Sequence, residues 1–504
     1  MSPRDLLTNP CWQGSDLGHP LPDSTHAVSV ALPRWSDVLD YEENNPACRS
    51  QLRAVYPRFG FHPLVAQLAQ TALTQSAAPQ DWSAWPYPTA AAANAAAEHC
   101  LRHVPHASTR IVAAQGLACL ITDPQATPAA KAFWQHAGLG ASSRQAAIAL
   151  GHESAPAAEA GHQARQAIRQ RLAGIYGCKA STISLHPSGM AALHRALQLV
   201  QVLHPGRPTL QVGFPYVDVL KLPQVVFAGA ELLTDSDSTA VAEALDRLQP
   251  AAVVVELPSN PMLQCVDLIT LAELAHARGI PVIADDTIGS GLNIDALPYA
   301  DLVFSSLTKS FAGRGDVLAG ALVVSPQSQW HKQLHHHFGD QPGVDGSAAL
   351  SGLGDADAIC LEEASRDVHE RIPRLNAHCS ALAKRLSEHP AVQRVLHPTQ
   401  CPTFQALMRP NAGHGCLLSF ELKGGIEAAQ RVYDALAVSK GPSLGTHFSL
   451  CCPYVLLAHY EELPWAEACG VPAHLLRVSV GMEDPDELWQ RFERALHQAG
   501  VVKV

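Results

Sequence analysis

The stretch SSLTKSFAGRGDVLAG, residues 305–320, sets one lysine, Lys309, among small hydroxyl residues and glycines. An apolar run, ADLVFSS, leads into it, and another, VLAGALVVS, follows. Lysine is almost never fully buried without a partner or a chemical task. A lysine between two buried-looking strands is therefore the residue from which the fold and the chemistry are read.

Working outward, TISLHPS, TLQVGFP, AAVVVELP, IPVIADD, ADLVFSS and GALVVS are short apolar runs bounded by Pro, Gly, Asp or Ser. Between them lie helical segments such as GMAALHRALQLVQVL and LITLAELAHARG, the latter closed by Gly279. Fully apolar strands alternating with helices predict a mostly parallel sheet covered on both faces. This large α/β domain is expected over residues 161–375. Residues 376–504 open with the helical NAHCSALAKRLSEH and continue through GCLLSFELKG, IEAAQRVYDALAV, LLRVSVGME and DPDELWQRFERALHQAG. That alternation predicts a smaller C-terminal α/β domain. Residues 1–160, rich in Ala, His and Pro, form an extended N-terminal region. Within it TAAAANAAAEHCLRHV, 89–104, reads as a helix capped by Thr89. STRIVAAQGLACLIT, 108–122, fits either two strands or a helix, and GHESAPAAEAGHQ, 151–163, either a connector or a helix start.

Open α/β sheets bind ligands at the carboxyl ends of their strands. Polar residues gather there: Ser188-Gly189-Met190, Ser259-Asn260-Pro261, Asp285-Asp286-Thr287, and Ser306-Leu307-Thr308-Lys309. Ser188-Gly189-Met190 opens a helix, whose free N–H groups suit a phosphate. Ser306 and Thr308 add hydroxyl donors. A strand-end aspartate can hold a ring nitrogen protonated. A lysine taken out of water becomes an amine nucleophile able to form a Schiff base. Phosphate, protonated ring nitrogen and aldehyde together describe pyridoxal phosphate. Each piece is common alone; their order and spacing are not.

The bulk properties narrow the alternatives. A net charge of −11 and a pI near 6.1 in 504 residues argue against nucleic acid. The start, MSPRDLLTNPCWQG, lacks a signal-peptide core, and no run reaches the roughly 18 apolar residues of a membrane span. Thirteen scattered cysteines without a C-x-x-C pair suggest reduced thiols and a cytoplasmic protein. Packing is the expected role of Cys451 and Cys452. The run HLHHHF, with His335, His336 and His337, has no nearby Cys or Asp ligand set, so no metal is expected. GRGDVLAG is glycine-rich but follows Lys309 rather than opening a βαβ unit, which argues against a dinucleotide site.

The blocks VELPSNPMLQCVDL, IADDTIGSGLN, SSLTKSFAG, GPSLGT and LLRVSVGMEDPDEL resemble the cysteine/methionine-metabolism family of pyridoxal-phosphate enzymes, which has the fold-type I aminotransferase architecture. AVSVALPRW, YPRFGFHP, FWQHAGLGASSR and GFPYVDVLKL extend the resemblance to the long fungal cystathionine γ-synthases. The resemblance implies γ-replacement on an O-acylhomoserine with cysteine; a sulfhydrylase, a γ-lyase or a specialised γ-substitution keeps the same cofactor. It implies that Lys309 carries the cofactor as a Schiff base and shuttles protons, that Tyr216 stacks on the ring and assists proton transfer as a second catalytic residue, that Asp285 pairs with the ring nitrogen, and that Asn260 contacts the ring hydroxyl. Gly189, Met190, Ser306 and Thr308 would hold the phosphate, and Tyr56 and Arg58 would reach that of a neighbouring subunit, making the protein a homodimer or homotetramer. Arg477 would clamp the substrate α-carboxylate, Ser443 would sit beside Lys309, and Lys221 would meet the donor's distal acyl carboxylate or be structural. The partners implied are small amino-acid substrates. Two departures stand out: Asp-Asp-Thr replaces the Asp-Asn-Thr of short members, and Pro442 precedes Ser443 where many γ-specific members have Glu. The insert between about 60 and 160 could extend a dimer face, cover the active-site mouth or bind a regulator. For FWQHAGLGASSR within it, packing is the favoured role.

Overall fold

In the computed structural model, which describes residues 3–336 and 352–500, a seven-stranded sheet forms the centre. Its order is Ile183–His186, Gly320–Val324, Leu302–Ser306, Val282–Asp285, Val253–Glu256, Thr209–Val212, Ala230–Leu233. The last five are mutually parallel, and only Gly320–Val324 runs against its neighbours. The sheet is mostly parallel, as the apolar runs predict. Val253, Val254 and Val255 are all buried, as a strand covered on both faces requires. Each such side chain contributes about 1.5–3 kcal/mol on burial.

The C-terminal sheet has the order Val392–Leu396, Leu417–Leu422, Leu476–Ser479, Leu450–Pro453, Ser439–Lys440. It is antiparallel except between its last two strands. The helices Val368–Glu388, Gly425–Ala435 and Pro485–Leu496 pack against it. Cys451 and Cys452 are buried, free thiols in this core.

Residues 108–122 resolve into two strands, Thr109–Ala114 and Leu117–Thr122, which join Ser83–Tyr87 in an antiparallel sheet. The positive-φ pair Gln115–Gly116 makes the turn. Helix Ala90–His103 covers this sheet, with the Thr89 hydroxyl accepting from Ala92 N at 3.2 Å. The segment 151–163 is a connector up to Ala157, where helix Ala158–Tyr176 begins. This N-terminal unit is fused to the large sheet through a shared apolar core: Tyr87, Phe133 and Leu139 pack in one cluster with Leu193, Leu197 and Val219.

The histidine run ends the short helix His331–His336, and His337 lies outside the described residues. Among the described residues no group of three or more His, Cys, Asp or Glu is arranged to hold a metal, and no helix is long and apolar enough to cross a membrane.

Candidate active site

The carboxyl ends of Val253–Glu256, Val282–Asp285 and Leu302–Ser306 open into one cavity. Lys309 lines it, on the turn that follows the third of these strands. Its Nζ donates to Tyr56 OH at 3.1 Å and to Ser443 Oγ at 3.3 Å. Gly445 lets the GPSLGT loop lie against this turn: a Cβ there would meet Ser310 N at 2.3 Å, at a φ of +76°.

Asp285 ends its strand with the carboxylate 4% exposed, accepting from Thr287 N at 2.9 Å and Thr287 Oγ1 at 2.5 Å. Burial, helped by the adjacent Asp286, pushes its pKa up from 3.8 to about 7. Asp286 does not line the cavity; it accepts from Tyr176 OH at 2.8 Å. Beneath the site, Glu256 Oε2 accepts from Tyr216 N at 2.8 Å and Asn260 N at 2.9 Å, so one buried carboxylate sets the positions of two lining residues.

Gly189 begins helix Gly189–Leu203, capped by the Ser188 hydroxyl, which accepts from Ala191 N at 3.0 Å. A Cβ on Gly189 would meet Ser306 Cβ at 2.7 Å, so only glycine lets the helix start approach the strand end. Met190, Ser306 and Thr308 line the same corner. Thr308 Oγ1 also accepts from Ala319 N at 3.0 Å and so fixes its own turn.

Arg477, 5% exposed, donates to Asn260 Oδ1 at 3.2 Å and to the Ser443 carbonyl at 2.8 Å, with its guanidinium 4.7 Å from the Tyr454 ring. Tyr216 caps the helix Val217–Val226 and contacts the Tyr56 phenol. Burial raises the Tyr56 pKa, but the Lys309 ammonium outweighs it and leaves the phenol more acidic than usual. Tyr216 has the opposite balance: burial and Asp218 push it well above the usual phenol range.

Tyr56 and Arg58 line the cavity, with Tyr56 OH accepting from Lys309 Nζ and Arg58 Nε donating to Asp218 Oδ1 at 3.1 Å. Lys221 is not among the lining residues; its Nζ pairs with Glu462 at 3.0 Å. The segment 133–144 does both: Phe133, Ala137 and Leu139 pack in the core, while Trp134, Gln135, Gly138 and Ala141 line the cavity. Glu256, Asp218 and His136 escaped sequence reasoning. Glu256 had one signal, a lone carboxylate closing an otherwise apolar strand.

The profile of the Cys/Met metabolism PLP-dependent enzymes matches residues 157–497, and that of the fungal trans-sulfuration enzyme N-terminal domain matches residues 64–142. The chain belongs to the Cys/Met metabolism PLP-dependent enzyme family. Among its relatives, cystathionine γ-synthase of Neurospora crassa is 30% identical over 96% of this chain and 98% of its own. The L-2-amino-4-chloropent-4-enoate dechlorinase/desaturase of Streptantibioticus cattleyicolor is 34% identical over 95% of this chain and 98% of its own. Among solved structures, cystathionine γ-synthase of Xanthomonas oryzae pv. oryzae, in complex with aminoacrylate and cysteine, aligns with a TM-score of 0.58 at 26% identity. It covers 69% of this chain and 88% of that one.

The cofactor of this Cys/Met metabolism enzyme is pyridoxal phosphate, and the site fits it. The Gly189 helix start, a cradle that a Cβ would fill, suits the phosphate. Asp285 is a buried carboxylate with no cationic partner among the described residues, which leaves it open to a ring N–H⁺. Lys309 offers its amine between them.

Proposed function

We propose that this enzyme catalyses γ-replacement: the acyl group of an O-acylhomoserine leaves as a carboxylic acid, and the thiol of cysteine takes its place to give cystathionine. The observation that carries this reading is the placement of one amine, Lys309 Nζ, between a phenol at 3.1 Å and a hydroxyl at 3.3 Å, in a cavity that also contains the buried Arg477. Pyridoxal phosphate, when bound, supplies the electron sink for charge left at Cα and Cβ. Asp285 serves as charge partner of the ring nitrogen, and Gly189, Met190, Ser306 and Thr308 cradle the phosphate. Arg477, oriented by Asn260 and the Ser443 carbonyl, binds the substrate α-carboxylate. Lys309 Nζ takes the Cα proton, then serves Cβ, and returns a proton after the thiol has added at Cγ. Tyr56 OH, made more acidic by that ammonium, exchanges a proton with it across 3.1 Å.

The acyl group follows from the charges. Among the described residues the cations lining the cavity are Arg58, Lys309 and Arg477. Arg58 is paired with Asp218, Lys309 carries the cofactor, and Arg477 takes the α-carboxylate. Lys221, which would meet a second carboxylate, is held by Glu462. An uncharged acyl group such as acetyl is therefore favoured over succinyl. The likeness to a dechlorinase/desaturase supports a second reading, elimination of the γ-substituent without a thiol acceptor.

Both readings require a proton to leave Cβ. Incubation with L-2-aminobutyrate, which has no leaving group, in D₂O should erase both the Cα and the Cβ proton signals by NMR. Exchange confined to Cα would refute γ-chemistry of either kind.

A further inference from the structure

We propose that Tyr454 is a positioning residue for the substrate carboxylate: its ring backs the Arg477 guanidinium and, with Cys452 beside it, holds that group in one plane. The inference rests on the reading of Arg477 as the carboxylate clamp and not on the identity of the donor or of the thiol.

The C-terminal sheet builds this arrangement. Strands Leu450–Pro453 and Leu476–Ser479 are antiparallel neighbours, and Cys452 stands opposite Arg477 in their register. Pro453 ends its strand, and Tyr454 opens the short helix Tyr454–Ala458. Two buried side chains from adjoining positions thus meet one arginine. Arg477 lies beside the Cys452 sulfur and offsets part of the rise that burial causes in the thiol pKa.

Arg477 donates from Nη1 to Asn260 Oδ1 and from Nη2 to the Ser443 carbonyl. Two hydrogen bonds at the edge of a planar group leave it free to tilt about the line between them. A tilt would turn the remaining N–H groups away from a carboxylate lying in that plane, and bidentate pairing requires both groups to share it. The Tyr454 ring, 4.7 Å from the guanidinium carbon, blocks the tilt and attracts the cation through its π face. The Tyr454 hydroxyl is buried without a hydrogen-bond partner among the described residues, so the contact is made by the ring. The Glu256 carboxyl, which would compete with a substrate for Arg477, accepts instead from Tyr216 N and Asn260 N. Burial and Asp285 push it well above the usual carboxylate range, which weakens that competition further. The guanidinium keeps its free N–H groups for an incoming carboxylate.

The test separates recognition of the carboxylate from recognition of the amine. The holoenzyme is titrated with L-2-aminobutyrate and with n-propylamine, the same skeleton without the carboxyl group, and the change in cofactor absorbance gives a Kd for each. Their ratio measures carboxylate selectivity. Tyr454→Met, which fills space without a ring face, should reduce this ratio about 2- to 30-fold, the span of a cation–π contact, and leave the Kd of n-propylamine unchanged. Tyr454→Leu serves the same purpose if the methionine variant does not fold. Tyr454→Phe, which keeps the ring, should restore the wild-type ratio. Arg477→Ala is the reference and should abolish the selectivity. If it does so while Tyr454→Met keeps the wild-type ratio, or weakens both ligands alike, the proposal is overturned and the clamp stands. Lost selectivity in Tyr454→Phe would also overturn it, because the hydroxyl would then be the acting group. Retained selectivity in Arg477→Ala would refute the clamp itself, and the proposal with it.

Discussion

Asp285 and Asp286 end the same strand yet meet different surroundings: one faces the cavity, the other is tied to Tyr176. The raised pKa of Asp285 makes a signed prediction. Between pH 3.8 and about 7 the unfolded chain has released this proton and the folded, cofactor-free chain still holds it. Folding then binds a proton, so the contribution of Asp285 to stability falls as pH rises through that window and levels off above it. Asp285→Asn, which cannot ionise, should gain on the wild type between about pH 4 and 7. Thermal denaturation of the cofactor-free forms checks this; a constant difference across the window would refute it. Asp218→Ala should act in the opposite sense. It leaves Arg58 buried without its counter-charge, and breaking such a pair costs about 3–5 kcal/mol. Denaturant midpoints read this directly, and Asp218→Asn, which keeps a hydrogen-bond acceptor, should cost less.

The elements were legible wherever periodicity and termination agreed. Uninterrupted Val/Ile/Leu runs ending in polar residues marked the parallel strands and the face that carries the site, and Thr89 marked the start of its helix. Residues 108–122 were ambiguous because two short apolar runs fit a helix as well as a hairpin. The decision lay in the Gln115–Gly116 turn and in pairing with Ser83–Tyr87, which no local pattern encodes. At this scale the sharpest contact is between the helix start at Gly189 and the strand end at Ser306. Gly189→Ala would force 2.7 Å between two Cβ atoms and push the helix off the phosphate corner. Overpacking of this kind costs about 1–3 kcal/mol. Equilibrium dialysis should show weaker pyridoxal phosphate binding than in the wild type, whereas unchanged affinity would mean that the corner does not hold the phosphate.

Across the whole molecule, residues far apart in sequence converge on one amine: Tyr56 from the N-terminal segment, Ser443 from the C-terminal sheet, and Trp134 from the inserted unit, which lines the same cavity. This convergence explains what the sequence could not reveal. The strand-end residues were readable because strand ends define a site by topology. The pairing of Lys221 with Glu462 and the place of Trp134, Gln135, Gly138 and Ala141 on the cavity wall depend on contacts between distant segments. The N-terminal unit is accordingly no appendage. Deleting residues 1–150 should expose the apolar faces of helices Gly189–Leu203 and Val217–Val226, giving an aggregating protein that binds a hydrophobic dye; a soluble, cofactor-retaining fragment would contradict the shared core. The most direct test of the account is product identification by mass spectrometry, with O-acetylhomoserine and O-succinylhomoserine each supplied with and without cysteine. The account predicts cystathionine in the presence of cysteine, formed faster from the acetyl donor. Formation of 2-oxobutyrate alone, whether or not cysteine is present, would contradict γ-replacement and assign the site to elimination.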